Sequence, residues 1–414
     1  MTTGDMTTGR VNREALHRRT LVVVMISQVL SGAGLGAGVT VGALLAEDML
    51  DTTSLSGLPS ALFTAGSAAT ALAVGRISQQ LGRRAGLTAG YAAGALGGAG
   101  VVLAATLGNI PLLLLSLLVY GAGTATNLQA RYAGADLVEP ARRGRAISSV
   151  LVAVTLGAVA GPNLVAPTGT LAESWGIPAL AGPFLMATLA YALAGLVLFV
   201  FLRPDPLLVS RTLPDIETPG TAPATRAGGS VAAGAVTMVL TQLVMVAVMT
   251  MTPVHMQAHH HDLHATGLVI AVHIAAMYLP SPITGILVDR VGRVPVAVAS
   301  GVTLLVAGVV SAVAPAGSVP LLAVALALLG LGWNLGLVAG TTMITDAVPL
   351  HSRARTQGAV DLCVALAGAG GGIASGVVMA AAGYAALSIG GGVLALAVIP
   401  FVAASARRAA RVTA

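Results

Sequence analysis

Apolar residues along this chain gather into twelve windows, at about 20–45, 54–78, 85–107, 110–132, 146–168, 178–202, 231–254, 265–288, 294–314, 318–345, 356–381 and 383–406. Each supplies the roughly 20 apolar residues that a helix needs to cross a hydrocarbon core about 30 Å thick. The pattern predicts an all-α membrane protein of twelve transmembrane helices. Their connections are short except one, residues 203–230, which contains Pro204, Pro206, Pro214, Pro219 and Pro223 without apolar periodicity and reads as a cytoplasmic linker. It separates an N-terminal six-helix half, residues 1–202, from a C-terminal six-helix half, residues 231–414.

Charge sharpens this picture. Arginine marks both termini, the linker and every second loop (Arg83 and Arg84, Arg142 to Arg145, Arg290 and Arg293, Arg353 and Arg355), whereas the alternate loops hold Glu47, Asp48, Asp51, Glu173 and Asp262. By the positive-inside rule, both termini face the cytoplasm of a multi-pass protein of the inner membrane. Arg18-Arg19 followed by Leu21 to Ile26 imitates a signal peptide, but the apolar stretch runs past residue 40, so it reads as the first helix.

Composition agrees: 56% of residues are hydrophobic and 9% charged, with a mean hydropathy of +0.90. That is more apolar surface than a soluble core of this length hides, and 52 glycines suit close packing of membrane helices. All 21 basic residues are arginine, and their placement in loops argues against a nucleic-acid partner. The single cysteine, Cys363, excludes an internal disulfide. Gly32-x-Gly34-x-Gly36-x-Gly38 lies inside an apolar helix with no preceding strand, so it is no nucleotide loop. The reading is a non-enzymatic, monomeric protein whose partners are the bilayer and a transported solute, with no bound cofactor.

The two halves repeat. A shift of 210 residues lays Gly75-x-Ile77-x-Gln79-Gln80-x-Gly82-Arg83 on Gly285-x-Leu287-x-Asp289-Arg290-x-Gly292-Arg293, and also Asp136 on Asp346, Arg143 on Arg353 and Arg145 on Arg355. These loops resemble the Gly-x-Leu-x-Asp-Arg-x-Gly-Arg hallmark of the major facilitator superfamily. The resemblance implies the major facilitator fold and alternating access. Gly285, Asp289, Arg290, Gly292 and Arg293, with Arg353 and Arg355, then form a charge cluster that breaks and re-forms as the halves rock. Gln79 stands where the first copy should be acidic, so a charged latch there is expected to be weaker or built by other residues. Gly157-x-x-x-Gly161-Pro162 in the fifth window resembles the superfamily's antiporter motif, although simple helix packing explains it as well.

Polar groups at membrane depth point to function. The eighth window has His273 and the eleventh Asp361, a candidate proton site near the arginine-rich end that could equally pair with Arg353 or Arg355; Gln28, Asn127, Asn163, Gln242 and Asn334 are the uncharged candidates. Met245-x-x-x-Met249 and His273-x-x-x-Met277 each place two soft ligands on one helix face at similar depth. Thioethers select Cu(I) and need no deprotonation. Beyond the seventh window His255, Met256, His259, His260, His261 and His264 form a turn that could capture metal from outside. The two pairs resemble those of the CcoA-like copper importers, which implies copper import with Met245, Met249, His273 and Met277 as ligands. Three alternatives stay open. The methionines fill packing gaps; the chain carries a small organic solute or drug past Asn127, Asn163, Trp333 and Asn334, inward or outward; or it senses metal without moving it.

Overall fold

The computed structural model describes residues 3–50, 58–213, 231–315 and 317–413. Asp51, the start of the second window, and Pro214, Pro219 and Pro223 of the linker lie outside them. The architecture is all-helical: α1 (Thr3–Leu50), α2 (Leu58–Leu81), α3 (Arg83–Leu107), α4 (Ile110–Ala135), α5 (Arg143–Asn163), α6 (Val165–Ser174), α7 (Gly182–Phe201), α8 (Pro206–Thr212), α9 (Val231–Ala258), α10 (Leu263–Tyr278), α11 (Ser281–Arg290), α12 (Arg293–Val313), α13 (Val319–Ala347), α14 (Arg353–Ala395) and α15 (Val398–Thr413). Among the described residues nine helical stretches have the length and apolarity to cross a membrane, and the longest, Arg353–Ser405, spans 53 residues. Gly383, at φ 80°, interrupts that stretch and divides it into two crossings. With α1 and the α5–α6 pair, the twelve predicted crossings are present.

Helix boundaries differ from the sequence windows where local chemistry intervenes. α1 begins well before the apolar run, through the charged residues that include Glu14 and Arg18, paired four apart at 3.2 Å. The fifth crossing breaks after Asn163 because Pro167 has no N–H to give that residue's carbonyl. The eighth breaks at Leu279 and Pro280 for the same reason; there Asn334 Nδ2 donates to the Met277 carbonyl and to Ser281 Oγ, both at 2.7 Å. A buried amide thus satisfies what the helix gives up, as hydrocarbon requires. The predicted linker also begins folded: Asp205 caps α8 by accepting from the Leu207 and Leu208 N–H groups, and Pro206 and Leu207 are buried.

Contacts within the chain divide it into two compact units. One comprises Met1–Glu139, Ser149–Pro214 and Leu350–Leu362; the other comprises Pro140–Ser148, Asp215–Pro349 and Cys363–Ala414. Each unit therefore takes a short helix end from the opposite half of the sequence. In the first, Tyr91, Tyr120, Phe184 and Tyr191 form a fully buried aromatic core. In the second, α9 and α12 each pack on α13, which is buried along most of its length.

Backbones approach closely wherever glycine faces a neighbour. α5 meets α1 at two such places: a Cβ on Gly32 would lie 2.6 Å from the Val154 carbonyl oxygen, and one on Gly157 would overlap the Val29 carbonyl. Gly157 of the predicted motif is thus a packing residue. Gly32→Ala should lower stability by about 1–3 kcal/mol, the usual cost of overpacking, seen as a lower thermal midpoint of the detergent-purified protein. Gly376→Ala, where nothing lies within 4 Å, should leave the midpoint unchanged.

Candidate functional site

The repeat found in the sequence is also a repeat of bonding. In the second unit, Asp289 at the end of α11 caps the start of α5: its carboxylate accepts from the Gly144 N–H at 2.8 Å and the Arg145 N–H at 3.1 Å, and pairs with Arg145 Nε at 3.2 Å. In the first unit, Gln79 at the end of α2 does the same for α14. Its Oε1 accepts from the Ala354 N–H at 2.8 Å and the Arg355 N–H at 3.4 Å. The acceptors and both donor positions are each 210 residues apart. Gln79 then adds what a carboxylate cannot, donating from Nε2 to the carbonyls of Leu350 (3.2 Å) and His351 (2.7 Å). Where the first copy lacks the acid, the cap is made through an amide, without charge.

Behind each cap stands an ion pair with the same offset. Arg83 binds Asp136 through Nε at 2.7 Å and Nη2 at 3.3 Å, and also donates to Gln357 Oε1 at 2.5 Å; the paired side chains are at most 1% exposed. Asp346 takes Arg293 Nε at 2.9 Å and Arg143 Nη1 at 2.6 Å. The loop glycines have φ 93° at Gly82 and 106° at Gly292, backbone that L side chains rarely adopt, so each turn delivers its arginine to the same place. Of the predicted gating residues, Arg353 is buried, while Arg290 and Arg355 have exposed side chains. Sequence reasoning left Arg83, Asp136, Arg143 and Asp346 out of the site, though their common offset was the available signal.

Asp361 pairs with neither Arg353 nor Arg355. It binds Arg131 of α4 at 2.7 Å, with side-chain exposures of 2% and 0%, and Tyr132 OH lies 3.2 Å from the same carboxylate oxygen. Arg131 also donates to Tyr132 OH at 2.8 Å and sits 4.2 Å over its ring. The other oxygen, Oδ2, is buried without a hydrogen-bond partner. Arg131 was missed as an intramembrane charge because it falls at the margin of an apolar window. Its partner lies 230 residues away.

The proposed copper ligands lie on two helices that both pack on α13. On α9, Met245 is buried and Met249 half-buried. On α10, His273 Nδ1 lies 2.8 Å from the Leu326 carbonyl of α13 and Nε2 is buried without a partner; Met277 is also buried. Gly330 of α13 lets α10 approach so closely that a Cβ there would be 2.6 Å from the His273 carbonyl. In the outer turn, Met256 is fully buried, so it does not face outward with the histidines: it sits on the inward side of α9. The His255 ring stacks on Tyr384 with centroids 4.3 Å apart and meets His259 at 4.4 Å. Among the described residues no group of three or more His, Cys, Asp or Glu side chains is placed to hold a metal ion.

Each unit also holds an uncharged polar cluster. In the first, Tyr91 OH donates to Gln28 Oε1 at 2.7 Å, Gln28 Nε2 to the Asn127 carbonyl at 3.0 Å, and Asn127 Nδ2 to Ser31 Oγ at 2.7 Å, all buried. In the second, Trp333 Nε1 donates to Gln242 Oε1 at 2.7 Å, and Tyr278 meets the indole edge-on at 5.8 Å. Gln242 and Tyr278 are only half-buried. Asn334 is fully buried and committed to the helix break, and Asn163 is exposed where α5 ends, so neither joins these clusters.

Twelve apolar crossings, two duplicated bonding sets and polar clusters at membrane depth define a multi-pass transporter of small molecules. The Major Facilitator Superfamily model matches residues 24–227 and 234–413, and the chain belongs to that superfamily. It is 57% identical over 397 residues to the uncharacterized MFS-type transporter YdeG of Bacillus subtilis, covering 94% of this chain and 92% of that one. It is 31% identical over 353 residues to the riboflavin transporter RfnT of Brucella anthropi, covering 83% and 85%. Among solved structures, the human organic anion transporter MFSD10 matches with a TM-score of 0.74 at 18% identity, over 93% of this chain and 99% of that one, which establishes the fold.

Removing one partner of a buried ion pair strands the other charge. Asp136→Ala should destabilise the protein by about 3–5 kcal/mol, and adding Arg83→Leu to it should recover part of that loss. Thermal unfolding of the two variants and wild type in detergent measures both effects.

Proposed function

We propose that the protein is a secondary carrier of a small, planar organic solute, working by alternating access. The observation that carries this reading is the Trp333–Gln242–Tyr278 set: a half-buried phenol offers a stacking face, and a half-buried amide, oriented by the N–H of the buried indole, offers a hydrogen-bonding edge. The relationship to a riboflavin transporter over most of both chains supports the same solute class. In this reading the caps at Gln79 and Asp289, with the arginine pairs behind them, hold the ends of α14 and α5 in one state and release them in the other, as the gating residues of a rocking carrier would.

Asp361 is the proposed coupling group. A carboxylate with one oxygen on Arg131 and the other unpartnered is held by a single ion pair, and a proton on it would loosen that pair. Its position supports the assignment. The duplicated charges keep their partners at an offset of 210, but the residues at that offset from Arg131 and Asp361 are Thr341 and Leu151, so this pair occurs once.

A second reading, copper import, keeps one observation in its favour: the buried, unpartnered Nε2 of His273 on the helix that also carries Met277. Uptake into proteoliposomes decides between them. Radiolabelled riboflavin, the first probe, should enter above the level of empty vesicles. Trp333→Phe, which keeps the ring and loses the donor, should weaken apparent affinity about tenfold, the scale of one hydrogen bond. Copper uptake that is lost in Met249→Leu and His273→Ala, with no riboflavin uptake, would reverse the assignment.

Asp361→Asn separates coupling from carriage. The variant should lose accumulation against a gradient and retain exchange of internal for external solute. Unaltered uphill accumulation in proteoliposomes would remove Asp361 from the coupling role.

A further inference from the structure

Where α1 passes α8, the first unit contains a cavity of about 510 Å³. Arg13, Ala15, Leu16 and Arg19 line it from α1, and Pro204, Val209 and Leu213 line it from the segment that follows α7. Of these Arg13, Leu16 and Arg19 are spaced three apart, a ridge on one helix face with an arginine at either end of it. Nε of Arg13 donates to the Leu137 carbonyl at 2.9 Å, which fixes its guanidinium at the wall, while Arg19 is exposed. None of the lining residues is acidic. Among the described residues, Glu14 pairs with Arg18 at 3.2 Å, and Asp205 accepts from the N–H groups of Arg84, Leu207 and Leu208.

We propose that this groove binds the headgroup of an anionic phospholipid. The guanidiniums of Arg13 and Arg19 would take the phosphate, and Leu16, Pro204, Val209 and Leu213 would lie along the glycerol and the first methylenes. Two features select a lipid over a free anion. Most of the lining is aliphatic, which a small hydrated phosphate would desolvate without gain. The groove also flanks the point where α7 ends and the chain leaves the hydrocarbon, and the arginine distribution assigns that side to the cytoplasm, whose leaflet carries negative headgroups. α8 supplies the far wall because Asp205 and the buried Pro206 and Leu207 pin it in place. This proposal is independent of the transported solute.

The test is native mass spectrometry of delipidated wild type, Arg19→Gln, Arg13→Gln/Arg19→Gln and Glu14→Gln/Arg18→Gln, each titrated with phosphatidylglycerol or phosphatidylcholine. Wild type should bind phosphatidylglycerol at least fivefold more tightly than phosphatidylcholine. The Arg19 variant should lose part of that preference and the double variant all of it. Glu14→Gln/Arg18→Gln, which removes an exposed pair outside the groove and frees no carboxylate, should match wild type. Arg19 is exposed, so its variant folds and keeps the test informative if the double variant does not. Equal binding of the two lipids by wild type, an undiminished preference in the Arg19 variant, or displacement of the lipid by inorganic phosphate at equal concentration would each overturn the proposal.

Discussion

Burial, in hydrocarbon or within the protein, removes water as a hydrogen-bond partner, so most polar groups that this chain buries must find one within the protein. That constraint explains features that otherwise look unrelated. Where Pro280 and Pro282 break the eighth crossing, Asn334 bridges the gap from a neighbouring helix. Where arginines 83 and 131 are buried, each meets a carboxylate at 2.7 Å. Where helices α5 and α14 begin, a side chain from the other half of the sequence accepts their first free N–H groups. The glycines at Gly32 and Gly157 belong to the same argument, since lipid gives helices little hydrophobic reason to associate and close backbone contact supplies the dispersion that holds them.

Duplication makes the constraint cheap to satisfy twice. A single ancestral arrangement, a loop glycine at positive φ followed by an arginine on a buried aspartate, serves both units at a constant offset. The copies then diverge where chemistry allows. Asp289 and Gln79 do the same capping work, but a carboxylate interacts favourably with the helix dipole and with Arg145, whereas the amide trades charge for two further donor bonds to Leu350 and His351. A neutral cap and a charged cap can have similar stability and still respond differently to a change in local potential.

Much of the fold was legible in the sequence because the bilayer sets the length and apolarity of each crossing, and twelve windows follow from that alone. The breaks inside the fifth and eighth crossings were less visible, since proline in a membrane helix signals a kink or an interruption depending on whether a side chain such as Asn334 stands by. The duplicated cluster was legible as a pattern of offsets, but its bonding was not. Nothing in one chain says that Asp136 meets Arg83, or that an amide at Gln79 can replace the expected acid. The His–Met pairs illustrate the opposite difficulty. Spacing places ligands on a helix face correctly, but it does not say which neighbour that face meets, and α10 meets α13.

The pair that breaks the repeat is the most informative of the charges. Arg83–Asp136 and Arg293–Asp346 are explained by inheritance and by the need to fix two loops, so their presence says little about what either unit does alone. Arg131–Asp361 has no such explanation. The equivalent positions are Thr341 and Leu151, residues that would leave the other copy uncharged at no desolvation cost, so the fold does not require charge there. Burying two ions that a hydrophobic pair could replace is often neutral or unfavourable for stability. A pair kept in one unit at that cost, with a carboxylate oxygen left unpartnered, is better explained by a step in the working cycle than by folding, and the proposed coupling role rests on this asymmetry.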